Sequence, residues 1–379
     1  MSYKSVDKLQ QVLAKNIFHY TKDPKKAAGR ALGTIVEIIT YYLLETWGLN
    51  NQISIERGLE EYGNSDITHN VEFSLHPVVH SSSLTIQKTT QSIGSGKIFR
   101  ALQNEKYSLE GFEIKPNLLL SNGVLRNACT IASSKDSFLL CSIKKDRGDK
   151  FELFIYEQNR KPYAIFECKR VGVEDGMRKG PQTIEKAKQG AYVARTASSL
   201  QKIRNEFGEM HGIIYKSDGS FIVKPFADLM EEIIYSQEKE LLRRFILTVG
   251  VVSNHGNWFT SSNQNKELKV LAQSYDWLLF LKDEGLAKFI EQLLLKPTKY
   301  YMPIRNSFVS SYTATKKKNQ FTKVQMNVEA DKILLDYFAK NKSVIESWFN
   351  VISPHKKKLS TLKDELRELK NKDWASILI

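Results

Sequence analysis

The chain has 379 residues, 41% of them apolar, which is enough to fill the core of one large domain or two ordinary ones. The opening residues, MSYKSVDKLQ, contain no apolar signal segment, and Glu37 and Glu45 interrupt the apolar stretch 33–47, which argues against secretion and membrane spanning. Three cysteines without metal-ligand spacing and seven scattered histidines argue against a zinc site and favour a reducing, cytoplasmic location.

The net charge of +14 is unevenly distributed along the chain. Residues 1–240 carry 33 basic and 29 acidic side chains, whereas residues 241–379 carry 23 and 13. The shorter C-terminal part therefore holds most of the excess positive charge. This asymmetry favours a polyanion, most simply nucleic acid, as partner, although solubility alone is the simpler explanation.

The elements predicted in chain order are those of an α/β protein with a mixed sheet. They are helix 6–47, strand-like segments up to 145, a hairpin of strands 150–157 and 163–169, helix 183–206, strands 212–216 and 219–226, and long helical periods over 228–249, 266–296, 328–350 and 356–372. A boundary near Gln237 divides an α/β core, 1–237, from a mainly helical and basic region, 238–379.

The strongest chemical signal is the segment YAIFECKR, 163–170, in which an apolar strand ends in Glu167 and Lys169. Alternation along a strand places these two side chains on one face and Cys168 on the other. If the preceding hairpin turns at Asn159, Asp149 lies opposite Lys169 and joins this face.

Two further acids lie near the hairpin. Glu152 would lie on its other face, and Asp136 precedes it and cannot be placed by this count. The choice between Asp149 and Asp136 as the first acid therefore stays open.

Two carboxylates at an open strand end suit a hard divalent cation such as Mg²⁺. A lysine beside them can orient a water or neutralise charge developing on a phosphate. Together these groups predict phosphodiester hydrolysis. A solvent-exposed ion pair is the competing interpretation of Glu167 and Lys169, and a turn-capping role is the competing interpretation of Asp149.

The segment RGDKFELFIYEQNRKPYAIFECKR, 147–170, resembles the PD-(D/E)xK nuclease superfamily, most closely the type II restriction endonucleases. The resemblance implies a restriction-endonuclease-like core, with Asp149 as first acid, Glu167 as second acid and Lys169 as catalytic lysine. It implies Mg²⁺ as cofactor, held by Asp149, Glu167 and Cys168.

Two helices extend the resemblance. In GRALGTIVEIITYYLLETWG, 29–48, Glu37 matches an acid that the family often carries on a helix before the core sheet, although pairing with Lys or Arg explains this glutamate equally well. In AKQGAYVARTAS, 187–198, Gln189 or Tyr192 matches a residue supporting the site.

The polar run 301–323 is the predicted DNA contact of the C-terminal region. Arg, Asn and Gln can read base edges, whereas Lys and Ser mostly hold phosphates. Its candidate DNA-binding residues are Arg305, Asn306, Ser307, Lys316, Lys317, Lys318, Gln320 and Lys323. A mobile lysine loop with no partner is the competing interpretation.

The resemblance and the charge together predict a type II restriction endonuclease that cuts double-stranded DNA at a short specific sequence and works as a homodimer. No membrane and no nucleotide cofactor are expected. Two alternatives stay open: a PD-(D/E)xK nuclease of DNA repair or recombination, and a DNA-binding protein without catalysis.

Overall fold

The computed structural model describes residues 6–88, 92–172, 181–255, 266–312 and 319–378. These residues form a mixed α/β fold with several sheets, and the largest sheet is mixed and flanked by helices, which confirms the predicted fold class at that level.

The helices are α1 Val6–Asn16, α2 Pro24–Thr46, α3 Ser95–Asn104, α4 Pro181–Thr196, α5 Phe226–Tyr235, α6 Lys239–Arg244, α7 Lys266–Ser274, α8 Asp283–Ile290, α9 Met302–Tyr312, α10 Val328–Lys340, α11 Lys342–Glu346, α12 Leu359–Lys370 and α13 Trp374–Ile377. A π-helical turn, Glu291–Leu295, and a 3₁₀ turn, Lys299–Tyr301, precede α9.

The strands are β1 Ile53–Glu61, β2 Asn64–Leu75, β3 Val78–Gln87, β4 Ile93–Gly94, β5 Glu113–Ile114, β6 Leu118–Ser121, β7 Val124–Arg126, β8 Cys129–Ser133, β9 Ser137–Asp146, β10 Lys150–Asn159, β11 Ala164–Gly172, β12 Gln201–Arg204, β13 Met210–Tyr215, β14 Phe221–Pro225, β15 Leu247–His255, β16 Trp277–Leu281, β17 Gln325–Asn327 and β18 Phe349–Ser353.

The main sheet has the order β1-β2-β11-β15-β16-β18. The first three strands are antiparallel neighbours, β15 runs parallel to β11, and β16 runs parallel to β15. Alternate residues of β11 pack on opposite layers: Phe166 and Cys168 face the large core that contains α2, whereas Ile165 packs with Val193 of α4. Helices therefore cover both faces of the centre of this sheet.

The predicted hairpin of strands 150–157 and 163–169 is wrong. β10 pairs with β3 and β9 in a second sheet of order β3-β10-β9-β8-β5, whereas β11 lies in the main sheet. The physical reason lies in burial: Phe151, Leu153 and Ile155 alternate with partly exposed residues, while residues 163–168 are all buried. A strand buried on both faces suits the centre of a helix-covered sheet better than a hairpin edge.

The region after Gln237 is mainly helical, but it also supplies β15, β16 and β18 to the main sheet. The predicted helical period over 266–296 is interrupted at WLLFL, 277–281, which forms β16 and is buried throughout. A short, continuous apolar run does not distinguish a buried strand from a buried helix, and here tertiary packing selects the strand. The main sheet consequently crosses the boundary predicted near Gln237.

Helix α2 is the central helix of the large core. Asp23 caps its N-terminus by accepting a hydrogen bond from the Lys26 amide at 2.9 Å, and Pro24 occupies its first turn. By length and composition α2 could cross a membrane, but 67% of its most apolar window is buried inside the protein. This burial is that of a core helix.

Glu45, a half-buried carboxyl on α2, gives a testable pH dependence. Burial raises the pKa of Glu45 from 4.5 to about 7, and a hydrogen bond from Tyr41 opposes this only partly. The folded chain therefore holds a proton that the unfolded chain releases, and stability decreases as the pH rises from 4.5 to about 7. We expect Glu45→Gln to raise the free energy of unfolding by about 2 kcal/mol at pH 8 and to change it little near pH 4.5.

Urea denaturation of wild type and variant at both pH values measures this difference, and Glu60→Gln, at an exposed site on β1, is the matched control. An equal effect of Glu45→Gln at both pH values would show that Glu45 is ionised in the folded chain.

Candidate active site

Glu167, Lys169 and Glu72 meet where the pairing of β2 with β11 ends. The ladder between these strands runs from Ala164–Leu75 to Phe166–Phe73, and the next position along it would pair Glu167 with Glu72. There the Glu72 amide donates instead to the Glu167 carboxylate, Oε1, at 3.1 Å. Beyond this point β2 and β11 are no longer paired. We call the space between them, where these side chains lie, the opening.

Lys169 joins the two carboxylates of this opening. Its Nζ lies 3.0 Å from Glu167 Oε2 and 3.8 Å from Glu72 Oε2. Burial would lower the pKa of Lys169, but Glu167 and Glu72 outweigh burial and raise this pKa above its usual value. Burial also raises the pKa of Glu167, which is 3% exposed, while Lys169 opposes that shift. Lys169 is therefore a stable cation at neutral pH.

Gly190 of α4 closes the opening from one side. A Cβ at this position would lie 2.8 Å from Tyr275 Oη, 3.2 Å from Lys169 Cε and 3.4 Å from Glu167 Oε2. The ring of Tyr275 packs directly on Gly250 of the main sheet. The contact is so close that a Cβ at Gly250 would lie 2.7 Å from this ring. Glycine at position 190 thus allows α4 to approach the candidate active site closely.

This close approach predicts the effect of a methyl group. We expect Gly190→Ala to lower the free energy of unfolding by about 1–3 kcal/mol, because Tyr275 has no room to move away. Gly33→Ala is the matched control: Gly33 also lies in a helix, with nothing within 4 Å of its added Cβ, so it should be neutral or stabilising by up to about 1 kcal/mol. Urea denaturation of both variants measures the difference, and equal effects would contradict the tight packing at Gly190.

A second lysine, Lys323, lies among three carboxylates beside this opening. The side chain of Lys323 is buried, and its Nζ is 3.4 Å from Glu37 Oε2 and 3.3 Å from Glu56 Oε1, and it also donates to Glu72 Oε1. Glu37 comes from α2, and Glu56 and Glu72 come from neighbouring strands of the main sheet. We call Glu37, Glu56, Glu72 and Glu167 the acidic cluster.

The acidic cluster contains more carboxylates than cations. Within the described part of the chain, the only cationic partners of these four carboxyl groups are the ammonium groups of Lys169 and Lys323. Burial, followed by the charge of Glu72, raises the pKa of Glu37 to about 7. Burial would lower the pKa of Lys323, but Glu37 and Glu72 outweigh it and raise that pKa. An added cation would neutralise this excess of negative charge.

The carboxylates of Glu72 and Glu167 are the donors in this cluster that fit a Mg²⁺ ion, which prefers carboxylate oxygens. In the described residues no group of three or more His, Cys, Asp or Glu side chains is arranged to hold a metal by itself. Glu72 Oε1 would be available to a metal only after Lys323 moves away from it.

The structure brings together Glu37, Glu167 and Lys169 of the predicted catalytic residues, and it does not bring Asp149 to them. Asp149 is exposed in the turn between β9 and β10. Strand β10 has ten residues and is therefore about 33 Å long, and its other end leads into β11. Glu152 pairs with Lys144 and Arg147 on the surface, and Asp136 lies in the exposed turn before β9.

Glu72, Glu56 and the role of Lys323 were missed by the sequence interpretation. Glu72 lies within the buried end of β2, VEFSL, 71–75, and is the only charged residue in that half of the strand. That signal is weak, because the contact depends on pairing with a strand more than ninety residues away. The predicted hairpin favoured Asp149, because it was based on the assumption that two strands consecutive in sequence are also paired in the sheet.

Three other predicted site residues lie away from the face of Glu167 and Lys169. Cys168 packs in the core under α2, on the opposite face of β11 from Glu167 and Lys169, and burial raises the pKa of its thiol. Gln189 is exposed, and its neighbour Gly190 contacts the candidate active site instead. Tyr192 donates to Glu61 Oε2 at 3.1 Å on the surface of β1.

The predicted DNA-contact run 301–323 begins as helix α9 rather than as a loop. Arg305 donates to the Leu295 carbonyl, Asn306 is exposed, and Ser307 is buried and donates to the Gln320 carbonyl. Lys323 contacts the acidic cluster. The predicted residues Lys316, Lys317 and Lys318 lie outside the described residues.

Comparison of this chain with family models, with curated proteins and with solved structures found no match.

Proposed function

We propose that the chain is a Mg²⁺-dependent endonuclease that hydrolyses phosphodiester bonds of double-stranded DNA at a short specific sequence, as type II restriction endonucleases do. The observation that carries this proposal is the convergence of Glu72, Glu167 and Lys169 at the point where β2 and β11 separate. Glu72 replaces Asp149 as the proposed first acid.

Glu72 and Glu167 are the residues that would hold Mg²⁺. Bound there, the ion would supply Lewis-acid activation of the phosphate and of a water nucleophile. Glu167 is oriented for this role, because one of its oxygens accepts the Glu72 amide and the other contacts Lys169. A donor of this kind fixes the carboxylate before substrate arrives, which reduces the reorganisation needed during the reaction.

Lys169 is proposed to act as a cation rather than as a base. Its pKa is raised by Glu167 and Glu72 despite burial, so its Nζ keeps its protons at neutral pH. From its place between the two carboxylates, it can donate a hydrogen bond to a phosphate oxygen and stabilise the charge that develops there. Glu37 positions Lys323, because the two side chains are 3.4 Å apart.

The charge of the chain supports DNA as the substrate. The net charge of +14 gives a phosphate backbone favourable long-range attraction, and most of the excess lies in residues 241–379. Cleavage of both strands of a duplex requires two such sites, and a homodimer is the simplest way to supply them. Sequence specificity and the homodimer are part of the proposal.

One observation favours a second candidate function, a DNA-binding protein without catalysis. The Lys323 ammonium already lies among Glu37, Glu56 and Glu72, where a metal would otherwise compensate their charge. In that case Mg²⁺ would change neither DNA binding nor the DNA itself.

The test is digestion of a plasmid of known sequence by the purified chain, with Mg²⁺ and with EDTA, followed by mapping of the DNA ends. Discrete ends at one short sequence, seen only with Mg²⁺, support the proposal. Ends scattered over many sequences or at branched structures would indicate a repair or recombination nuclease. Intact plasmid under conditions where the chain binds DNA would favour the non-catalytic function.

A further inference from the structure

A basic cavity opens beside the acidic cluster. It has a volume of about 430 Å³ and lies between β1 of the main sheet and the segments 115–117 and 126–138. Four cationic side chains line it, Arg57, Lys115, Arg126 and Arg160, and Glu56 is the acidic residue in its lining. Such a concentration of guanidinium and ammonium groups in a concave site is typical of anion recognition.

Arg57 is the innermost cation of this cavity and has no carboxylate partner among the described residues. Its Nη2 donates to Thr130 Oγ1 at 2.8 Å and to Ser54 Oγ at 3.2 Å, while its Nε is buried without a hydrogen-bond partner. Burial, followed by the charge of Arg160, lowers the pKa of Arg57 to about 10. Burying a guanidinium that has an unpaired N–H and no counter-ion costs free energy, unless a bound ligand supplies the missing hydrogen-bond partner and negative charge.

Phe138 holds two of the arginines in place. The Arg57 guanidinium lies 3.7 Å from the centre of the Phe138 ring, and the Arg160 guanidinium lies 4.8 Å from it. These contacts restrict both side chains before any ligand binds, so the conformational entropy cost of binding is smaller. The cavity is therefore preorganised for an anion.

The position of the cavity links it to the candidate active site. Glu56 lines the cavity and contacts Lys323, which in turn contacts Glu72. Val324, the residue after Lys323, lines the cavity as well. An extended anion could therefore occupy the cavity and reach the opening at Glu72 and Glu167 at the same time.

We propose that this cavity binds a backbone phosphate of the DNA strand whose neighbouring phosphate lies in the candidate active site. The identity of the ligand rests on the proposed function, while the phosphate chemistry rests on the arginines themselves. Arg57 and Arg126 contact the phosphate oxygens, and Lys115 adds charge at the edge of the cavity. The cavity thereby positions the strand and makes no base-specific contact.

The experiment measures binding of the full chain to a 20-base-pair duplex over a series of salt concentrations in EDTA, so that neither metal nor cleavage affects the result. We expect Lys115→Gln/Arg126→Gln to weaken binding about tenfold. The slope of log K against log salt should become shallower by about 0.9 for each phosphate that the variant no longer neutralises. Lys356→Gln/Lys358→Gln removes two exposed charges elsewhere and should leave the slope nearly unchanged.

Arg57→Gln separates a binding role from a structural role. Because Arg57 has no carboxylate partner among the described residues, this variant should keep its thermal unfolding temperature and still show the weaker, flatter salt dependence. A lower unfolding temperature with an unchanged slope would overturn the proposal, and so would wild-type binding by Lys115→Gln/Arg126→Gln.

Inorganic phosphate distinguishes the sources of the ligand. Calorimetric binding of inorganic phosphate that both variants abolish, combined with DNA binding that neither variant changes, would assign the cavity to a small phosphorylated molecule and overturn the proposal for DNA. Cleavage assays keep the two proposals separate. If the wild type binds DNA through the cavity but never cuts it, only the proposed function is contradicted. If the wild type cuts DNA and the cavity variants bind it with wild-type affinity, only this inference is contradicted.

Discussion

Glu72→Gln should abolish Mg²⁺-dependent DNA cleavage, with a decrease in rate on the order of 10³-fold, whereas Asp149→Asn should cleave like the wild type. Glu72 shares Lys169 with Glu167 and lies where β2 separates from β11, so its carboxylate is positioned to bind the metal. Asp149 lies in an exposed turn at the far end of β10. Both substitutions replace a carboxylate by an amide of the same shape, so the comparison isolates the charge.

The measurement is the cleavage rate of one DNA substrate in Mg²⁺, with DNA binding measured in Ca²⁺ and folding checked by urea denaturation. Glu152→Gln, which removes a surface ion-pair partner of Lys144 and Arg147, is an additional control that should retain activity. An inactive Asp149→Asn beside an active Glu72→Gln would place the reacting phosphate at the second sheet and refute the site described above.

Lys323→Met should lower the free energy of unfolding in EDTA by about 2–4 kcal/mol, because it leaves the partly buried carboxylates of Glu37 and Glu72 without this cation. Adding Mg²⁺ or Ca²⁺ should then stabilise this variant more than the wild type, since the cation can occupy the place of the lysine ammonium. Lys323 contacts Glu37, Glu56 and Glu72, so no other single lysine replacement in the described residues should make the chain as dependent on divalent cations.

Lys357→Met is the matched control for this prediction. Lys357 Nζ lies 3.1 Å from Glu365, which is fully buried, so this variant also leaves a buried carboxylate without its cation, but outside the acidic cluster. Thermal unfolding of both variants, with EDTA and with each cation, measures the effect. Equal stabilisation of the two variants by Mg²⁺ would mean that the acidic cluster does not bind the ion, and the non-catalytic DNA-binding function would then be favoured.

The E-x-K pair was predictable from the sequence because its geometry is local. Residues two apart on a strand share a face whichever sheet the strand joins, so the pattern alone places Glu167 and Lys169 together, whatever the partner strand. The apolar run before them indicated a buried strand, and the apolar stretch containing Glu37 indicated a helix, which the structure shows as α2. The excess positive charge was likewise a property of composition alone.

Tertiary structure alone decided which other groups complete the candidate active site. Glu72 lies 95 positions before Glu167, and Lys323 lies 251 positions after Glu72, so their contacts depend on strand order and on chain connections that no local pattern specifies. The hairpin prediction failed because β10 and β11 are consecutive in sequence but belong to different sheets. Strand pairing is selected by the free energy gained when all the elements are buried together. This free energy cannot be read from any single segment of the sequence.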